Sequence, residues 1–487
     1  MPVARTEVAE SATAGTARRV LVIAYYFPPL GGVGVQRTLK YVKYLPENGW
    51  QPVVITPARP AYTVRDATLL NELQADLQVE RTGSFEPARL PAAVEAFLSR
   101  RRLASSATDA HVGQATTSLP ARLLTKSMIL WNRVWAPFLF PDAAVGWVGA
   151  ASKRGLQVHK RAPVDAIYST SGPVSCHLVA RKIAARTGLP WIADFRDPWI
   201  GNAFNSKPRG LNAYRQRRME SGIVAWADRL IFPTQGVMKA YAERYPLASA
   251  KMLVIPNGYD VADFPSPVGP VRTGKSGTDG EVASRRFRLV YAGSLYGEQE
   301  LEIFLKGLEQ VAARRPDIKD RLDVEFVGWL TAANRRLAAG YADSNRLGSM
   351  VRFSGFVPHA EAIRKEAEAD GLLQIIADDP RKGEVQGGKL MEYLGLDKQI
   401  LAIVPEGVAR EVLRELDWGI LADPTPDGVA VGIERLIDEP PPTRRADPEG
   451  RYDRVNLAAR LAAYLDDAVA AGRSARGAGP PPAGEPR

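Results

Sequence analysis

Eleven short apolar runs, each closed by polar or turn residues and separated by helical stretches, restrict this chain to layered α/β folds. Six lie in the first part: RRVLVIAYYF (18–27), QPVVITP (51–57), VDAIYST (164–170), LPWIADF (189–195), DRLIFPT (228–234) and KMLVIPN (251–257). Five follow: RLVYAGS (288–294), DVEFVGW (323–329), VRFSGFV (351–357), GLLQIIA (371–377) and QILAIVP (399–405). Runs of this kind, with helices between them, predict strands of parallel sheets covered on both faces. Between the two series, residues 265–286 turn to Pro, Gly, Ser and charge, too little apolar surface to order a segment, and read as a flexible linker.

At 487 residues the chain exceeds one ordinary core, so two Rossmann-like domains are expected, 18–264 and 287–450. A helix of apolar spacing follows at 451–471, and 472–487 reads as a disordered tail. No run of eighteen apolar residues and no apolar signal core occurs, which points to the cytoplasm. The single cysteine, Cys176, excludes a disulfide framework and a cysteine-ligated zinc. None of the four histidines is spaced for a shared metal site on one helix, so no metal is expected.

The net charge of +10 is uneven: up to Val268 there are 33 Lys and Arg against 19 Asp and Glu. A basic first half fits an anionic membrane surface or a phosphorylated substrate, or a solubility bias. No zinc finger or RNA-binding aromatic signature accompanies it, so nucleic acid is not an expected partner. Leu119–Phe140 combines Arg122, Lys126 and Arg133 with Leu, Ile, Trp and Phe, which reads as an interfacial amphipathic helix or a core helix of the first domain.

The densest chemistry lies in EVQGGKLME, Glu384 to Glu392. Gly387 and Gly388 permit close backbone approach, and the unpaired amides of a first helical turn attract phosphate. Lys389 and Glu392 fall within that turn, and a carboxylate so placed accepts hydrogen bonds from vicinal hydroxyls. The alternative is a glycine-broken surface helix with solvated charges. In FPPLGGVGVQR (27–37), Gly32 and Gly34 approach a dinucleotide fingerprint, but Arg37 replaces its third glycine and no acidic residue ends the next strand. A nicotinamide dinucleotide is therefore not expected, while Arg37 remains an anion contact. ADFRDPW (193–199) places Asp194, Arg196 and Asp197 at the end of a buried strand, where unpaired burial is costly and a cleft is the natural destination. One carboxylate there is a candidate base and Arg196 a candidate for acceptor phosphate; an internal Asp/Arg pair is the other reading. Ser171 or Ser175 caps the next helix, and His177 near its start either faces a cleft or is structural. The chain has no Asp-x-Asp triplet, P-loop, G-x-S-x-G or H-E-x-x-H.

Taken in order, FPPLGGVGVQR, SGPVSCHLVA, PWIADFRDPW, ADRLIFPT, VIPNGYDVADF and GGKLMEYLGLDKQIL make the chain resemble the GT-B fold glycosyltransferases of family 4 over most of its length. The resemblance implies two Rossmann-like domains facing a central cleft. It implies a nucleotide-sugar donor, uridine-linked, on the C-terminal domain and a glycan or lipid-linked acceptor on the N-terminal one. Transfer with retention, without metal or other cofactor, follows from it, as does a final helix that crosses back to the first domain. Glu384 then binds donor-sugar hydroxyls and Glu392 the ribose. Gly31 and Gly32 lie near the donor phosphates, with Ser294, Gly388 and Leu390 also on the donor side. Asp194 serves in catalysis, and Arg37, His177, Arg196 and Asp197 line the acceptor side. Members often carry an Arg and a Lys after the first strand of the second domain; here AGSLYGEQE puts Ser294 in place of the Arg, and Lys306 is too distant. Lys389, helped by Arg381 or Lys382, is the expected replacement against the diphosphate. The expected role is synthesis of surface polysaccharide or glycolipid at the inner face of the plasma membrane. A nucleotide-sugar epimerase and a non-catalytic sugar-binding protein on the same fold are the alternatives.

Overall fold

In a computed structural model, residues 17–62, 64–86, 139–201, 210–265, 286–293, 295, 298–343, 347, 350–376, 388–440 and 442–475 are described. Val20–Ile23 in the first strand and all of Trp191–Asp194 in a later one are buried, which only a sheet covered on both faces permits. The first sheet comprises β1 (Arg18–Ile23), β2 (Trp50–Pro57), β3 (Gln78–Thr82), β4 (Ala166–Thr170), β5 (Trp191–Asp194), β6 (Arg229–Phe232) and β7 (Met252–Val254). Its order is β3-β2-β1-β4-β5-β6-β7, with every pair from β1 to β6 parallel. Helices α1 (Val33–Tyr44), α2 (Val148–Arg161), α3 (Ser175–Thr187), α4 (Leu211–Trp226) and α5 (Gln235–Arg244) connect these strands.

The second sheet holds β8 (Phe287–Ala292), β9 (Leu322–Val327), β10 (Val351–Gly355), β11 (Gly371–Ile375), β12 (Gln399–Ile403) and β13 (Ile420–Ala422), in the order β10-β9-β8-β11-β12-β13 and parallel throughout. Its helices are α6 (Glu298–Arg314), α7 (Ile318–Arg321), α8 (Ala332–Asp343), α9 (His359–Glu368), α10 (Gly388–Gly395), α11 (Val408–Glu415) and α12 (Pro426–Asp438). Alternation along the strands divides the interior: Leu289, Tyr291, Leu373, Ile375, Leu401 and Ile403 enter one core with α6 and α12. Their neighbours Val290, Ala292, Leu372, Ile400 and Ala402 enter another with α10 and α11.

The chain divides into two compact units, Met1–Ile200 with Arg209–Ile231 and Ala458–Arg487, and Gly201–Pro208 with Phe232–Leu457. The last helix, α13 (Arg454–Ala475), carries Asp466 and Asp467, which pair with Arg18 and Arg229 of the first unit. It runs four residues beyond the expected end at 471. Two strands lie outside the expected runs. β3, QVERT, is the polar edge of its sheet, and β13 is only three residues long. Most of the linker (266–285), the end of the tail (476–487) and nearly all of the amphipathic segment 119–140 lie outside the described residues.

Candidate active site

Both sheets reverse strand order at one point, between β1 and β4 in the first and between β8 and β11 in the second. Loops leaving neighbouring strands in opposite directions open a crevice there, at the carboxyl ends, where open α/β sheets bind ligands. In the second unit, Gly388 opens α10 on the path from β11, and the Tyr393 hydroxyl accepts a hydrogen bond from the Ala292 amide at the end of β8, 3.0 Å away. The start of α10 therefore stands at the switch point. Leu390 is fully buried in the core, which leaves only its backbone for a ligand. The Lys389 ammonium donates to Glu366 Oε1 at 2.9 Å and to Glu392 Oε2 at 2.5 Å. Burial opposes its charge, but Glu392 and Glu366 outweigh that and raise its pKa.

Glu366, on α9, was not legible as a site residue. It is fully buried, and its Oε2 has no hydrogen-bond partner among the described residues. Burial raises its pKa, Lys389 lowers it and Glu392 raises it again, to about 7. The available signal was its position: it shares the buried stripe of α9 with Ala362 and Ile363, where a carboxylate has no place without a partner. Glu384, Ser294, Arg381 and Lys382 lie outside the described residues.

In the first unit, the structure takes Asp194 and Arg37 out of the expected acceptor surface. Arg37 Nε and Nη2 reach the two oxygens of Asp194 at 2.8 and 3.1 Å, while Tyr168 Oη and Thr170 Oγ1 donate to the same carboxylate at 2.5 and 3.2 Å. Asp194 and Arg37 are 0 % and 1 % exposed. The internal pair is thus the reading that the geometry supports, because a carboxylate with four donors and no solvent access offers nothing to an acceptor. His177 is also in the core. Its Nδ1 meets Ser169 Oγ at 2.8 Å, its ring lies 4.9 Å from Phe195, and burial lowers its pKa to about 3 despite Asp194 nearby.

Arg196 and Asp197 do reach the rim. Arg196 Nη1 donates to the Gly34 carbonyl at 2.6 Å and Nη2 to Asp197 at 2.9 Å, beside the Tyr26 ring. A Cβ on Gly172 would stand 2.4 Å from Arg196 Nη2, so the loops after β1, β4 and β5 converge on this guanidinium. The Asp197 carboxylate is half exposed. The glycine loop is held by its own chain: the Gly31 amide donates to Val64 O, a Gly31 Cβ would meet Asp66 Cβ at 3.0 Å, and Gly32 has φ +88°.

Residues 30–263 match the model of Glycosyltransferase Family 4. The matched stretch is just under half of the chain and is similar to the glycosyltransferases of that family, and the fold is GT-B. Among solved structures, the chain is similar to a glycosyltransferase from Rickettsia africae (14 % identity, TM-score 0.55, covering 93 % of this chain and 99 % of that one). It is also similar to Anabaena HepE in complex with UDP (16 %, TM-score 0.52, 94 % and 98 %). A third is sucrose-phosphate synthase from Thermosynechococcus elongatus (15 %, TM-score 0.52, 95 % and 100 %). At such identities these likenesses speak for the fold. A search of curated protein sequences finds no match.

Proposed function

We propose that this protein is a glycosyltransferase that moves a sugar from a uridine diphosphate sugar to a hydroxyl of a glycan or lipid-linked acceptor, with retention and without a metal. The observation that carries the proposal is the first turn of α10 at the second switch point, where Lys389 and Glu392 stand beside helical amides. Donor binding draws Glu392 onto the ribose hydroxyls and leaves Lys389, with those amides, to the diphosphate. Glu384 binds hydroxyls of the donor sugar. The bond from the anomeric carbon to the phosphate oxygen then breaks, its electron pair passes to the diphosphate, and the acceptor oxygen bonds to the same face of the sugar. The hydroxyl proton leaves with the departing phosphate oxygen. Arg196 and Asp197, at the rim of the first unit, orient the acceptor.

The test incubates the protein with uridine, guanosine and adenosine diphosphate sugars, with and without lipid-linked acceptors and chelator, and follows free diphosphate and sugar products by mass spectrometry. Acceptor-dependent release unaffected by chelator is expected. Release of nucleotide with an inverted or eliminated sugar and no acceptor would make the protein an epimerase. Absence of donor binding, with Glu392→Ala indistinguishable from the parent, would make it non-catalytic.

A further inference from the structure

Three helices of the first unit, α2, α3 and α4, carry ten Lys and Arg and a single acidic residue, Glu220, which is fully buried. They lie side by side. A Cβ on Gly155 of α2 would approach Ile183 of α3 to 2.4 Å, one on Gly222 of α4 would approach Arg181 of α3 to 3.2 Å, and Arg181 stands 5.4 Å over the Trp226 ring of α4. Between α2 and α3 runs a groove of about 540 Å³ lined by Lys153, Lys160, Lys182 and Arg186, with no acidic side chain in its wall. None of these four has an ion-pair partner among the described residues, whereas Arg154 on the same helix is paired with Glu80.

The same face is also apolar where it is exposed. On α4 the buried stripe is Gln216, Glu220, Ile223 and Val224, and the opposite stripe presents Leu211, Tyr214, Arg218 and Trp226. Leu211 is 71 % exposed, Tyr214 59 % and Trp226 52 %, an unusual outlay of large apolar side chains on one sixteen-residue helix. Cations in an acid-free field, with Leu, Tyr and Trp at their margin, match a headgroup layer: phosphates attract the cations and the interface accepts aromatic and aliphatic tips.

We infer that the outer face formed by α2, α3 and α4 docks on an anionic phospholipid bilayer. This extends the glycosyltransferase reading by naming the surface that brings the enzyme to a lipid-linked acceptor. No helix among the described residues is long and apolar enough to cross a membrane, and a peripheral face needs none.

The experiment is flotation of the full chain with phosphatidylcholine vesicles, with and without 30 mol % phosphatidylglycerol (about one anionic lipid in three). Binding needs no turnover, so its outcome is independent of whether the protein transfers sugar. Expected are flotation with the anionic vesicles only, loss at high salt, and about a hundredfold weaker partition for the triple variant Lys153→Ser, Lys182→Ser, Arg186→Ser. Leu211→Ser with Trp226→Ser should weaken partition about tenfold without altering salt dependence. All five positions are exposed on helices and outside the candidate active site, so circular dichroism of the variants should match the parent. Equal binding to neutral vesicles, or unchanged partition of folded variants, overturns the inference. So does a duplex oligonucleotide that displaces the vesicles at equal charge concentration, which would make the face a nucleic-acid surface.

Discussion

At the residue scale, the distinction that the sequence could not draw is between a charge held for a substrate and a charge held for the fold. ADFRDPW announces three charged residues at a strand end, and that much is correct. Which of them faces solvent depends on a partner from α1, 157 positions earlier in the chain. Arg37 satisfies Asp194, so Asp194 stays inside and Arg196 and Asp197 go to the rim. Removing one partner of such a pair leaves an uncompensated buried charge, and Asp194→Ala should cost about 3–5 kcal/mol of stability, measured by urea unfolding. The double change Asp194→Leu, Arg37→Met should recover part of that loss, because the pair is removed whole. A catalytic carboxylate would behave otherwise: its alanine variant would stay stable and lose only turnover.

Lys389 is the residue-scale counterpart in the second unit. The sequence marked it through its place after a glycine pair, and its proximity to Glu392 followed from helical spacing. Its bond to Glu366 did not, since that contact joins separate helices. On the proposed reading, without an Arg/Lys pair after β8 the charge that meets the diphosphate rests on Lys389, and Lys389→Met should lower kcat about a hundredfold or more. Glu392→Ala removes the proposed ribose contacts and should raise the donor KM by about tenfold or more, with the smaller effect on kcat. Steady-state kinetics separates the two roles. The cost of Lys389→Met should exceed that of the equivalent change in a relative that keeps the pair.

At the scale of elements, strands buried on both faces were readable because most residues in them are apolar, with Ser169, Thr170 and Asp194 at strand ends. Helix starts were less so, since neither Ser171 nor Ser175 caps α3, whose N-cap is Val174. Thr234 and Thr425 accept hydrogen bonds from Val237 and Gly428, and each begins its helix as a Thr at that place should. β3 escaped because pairing, not composition, makes it a strand, and β13 because three apolar residues are too short a run to stand out. Packing between helices is equally silent in sequence. Gly307 lies mid-way along α6, where propensity alone would have Gly→Ala stabilise by about 1 kcal/mol. A Cβ there would sit 2.5 Å from Val429 Cγ1 and 2.7 Å from the Pro426 carbonyl on α12. Overpacking of this kind costs about 1–3 kcal/mol, so Gly307→Ala should be net destabilising, and Gly307→Val more so, in chemical denaturation.

At the scale of the whole molecule, the two α/β halves were legible as repeated alternation, while the acid-free face of α2, α3 and α4 was diluted into a charge excess spread over 268 residues. Only the fold collects those cations on one surface. Two buried titratable groups give the units opposite responses to pH. His177, in the first unit, has a folded pKa near 3 against an ordinary 6.5, so the unfolded chain binds its proton more readily. Its contribution is present above pH 6.5 and is lost progressively as pH falls toward 3. Glu366, in the second unit, has a folded pKa of about 7 against 4.5, so the native state holds its proton more tightly. Its contribution is complete below pH 4.5 and is lost as pH rises toward 7. Lowering pH from 7.5 to 5 should therefore weaken β4 and β5 while strengthening β11 and β12. Amide hydrogen exchange, corrected for intrinsic rates and read on peptides from those strands, resolves the two responses in one sample. His177→Leu should flatten the response of the first set and leave the second untouched. Glu366→Gln should do the reverse, and a variant that shifted both sets together would show that burial of these two groups is not what sets the pH dependence.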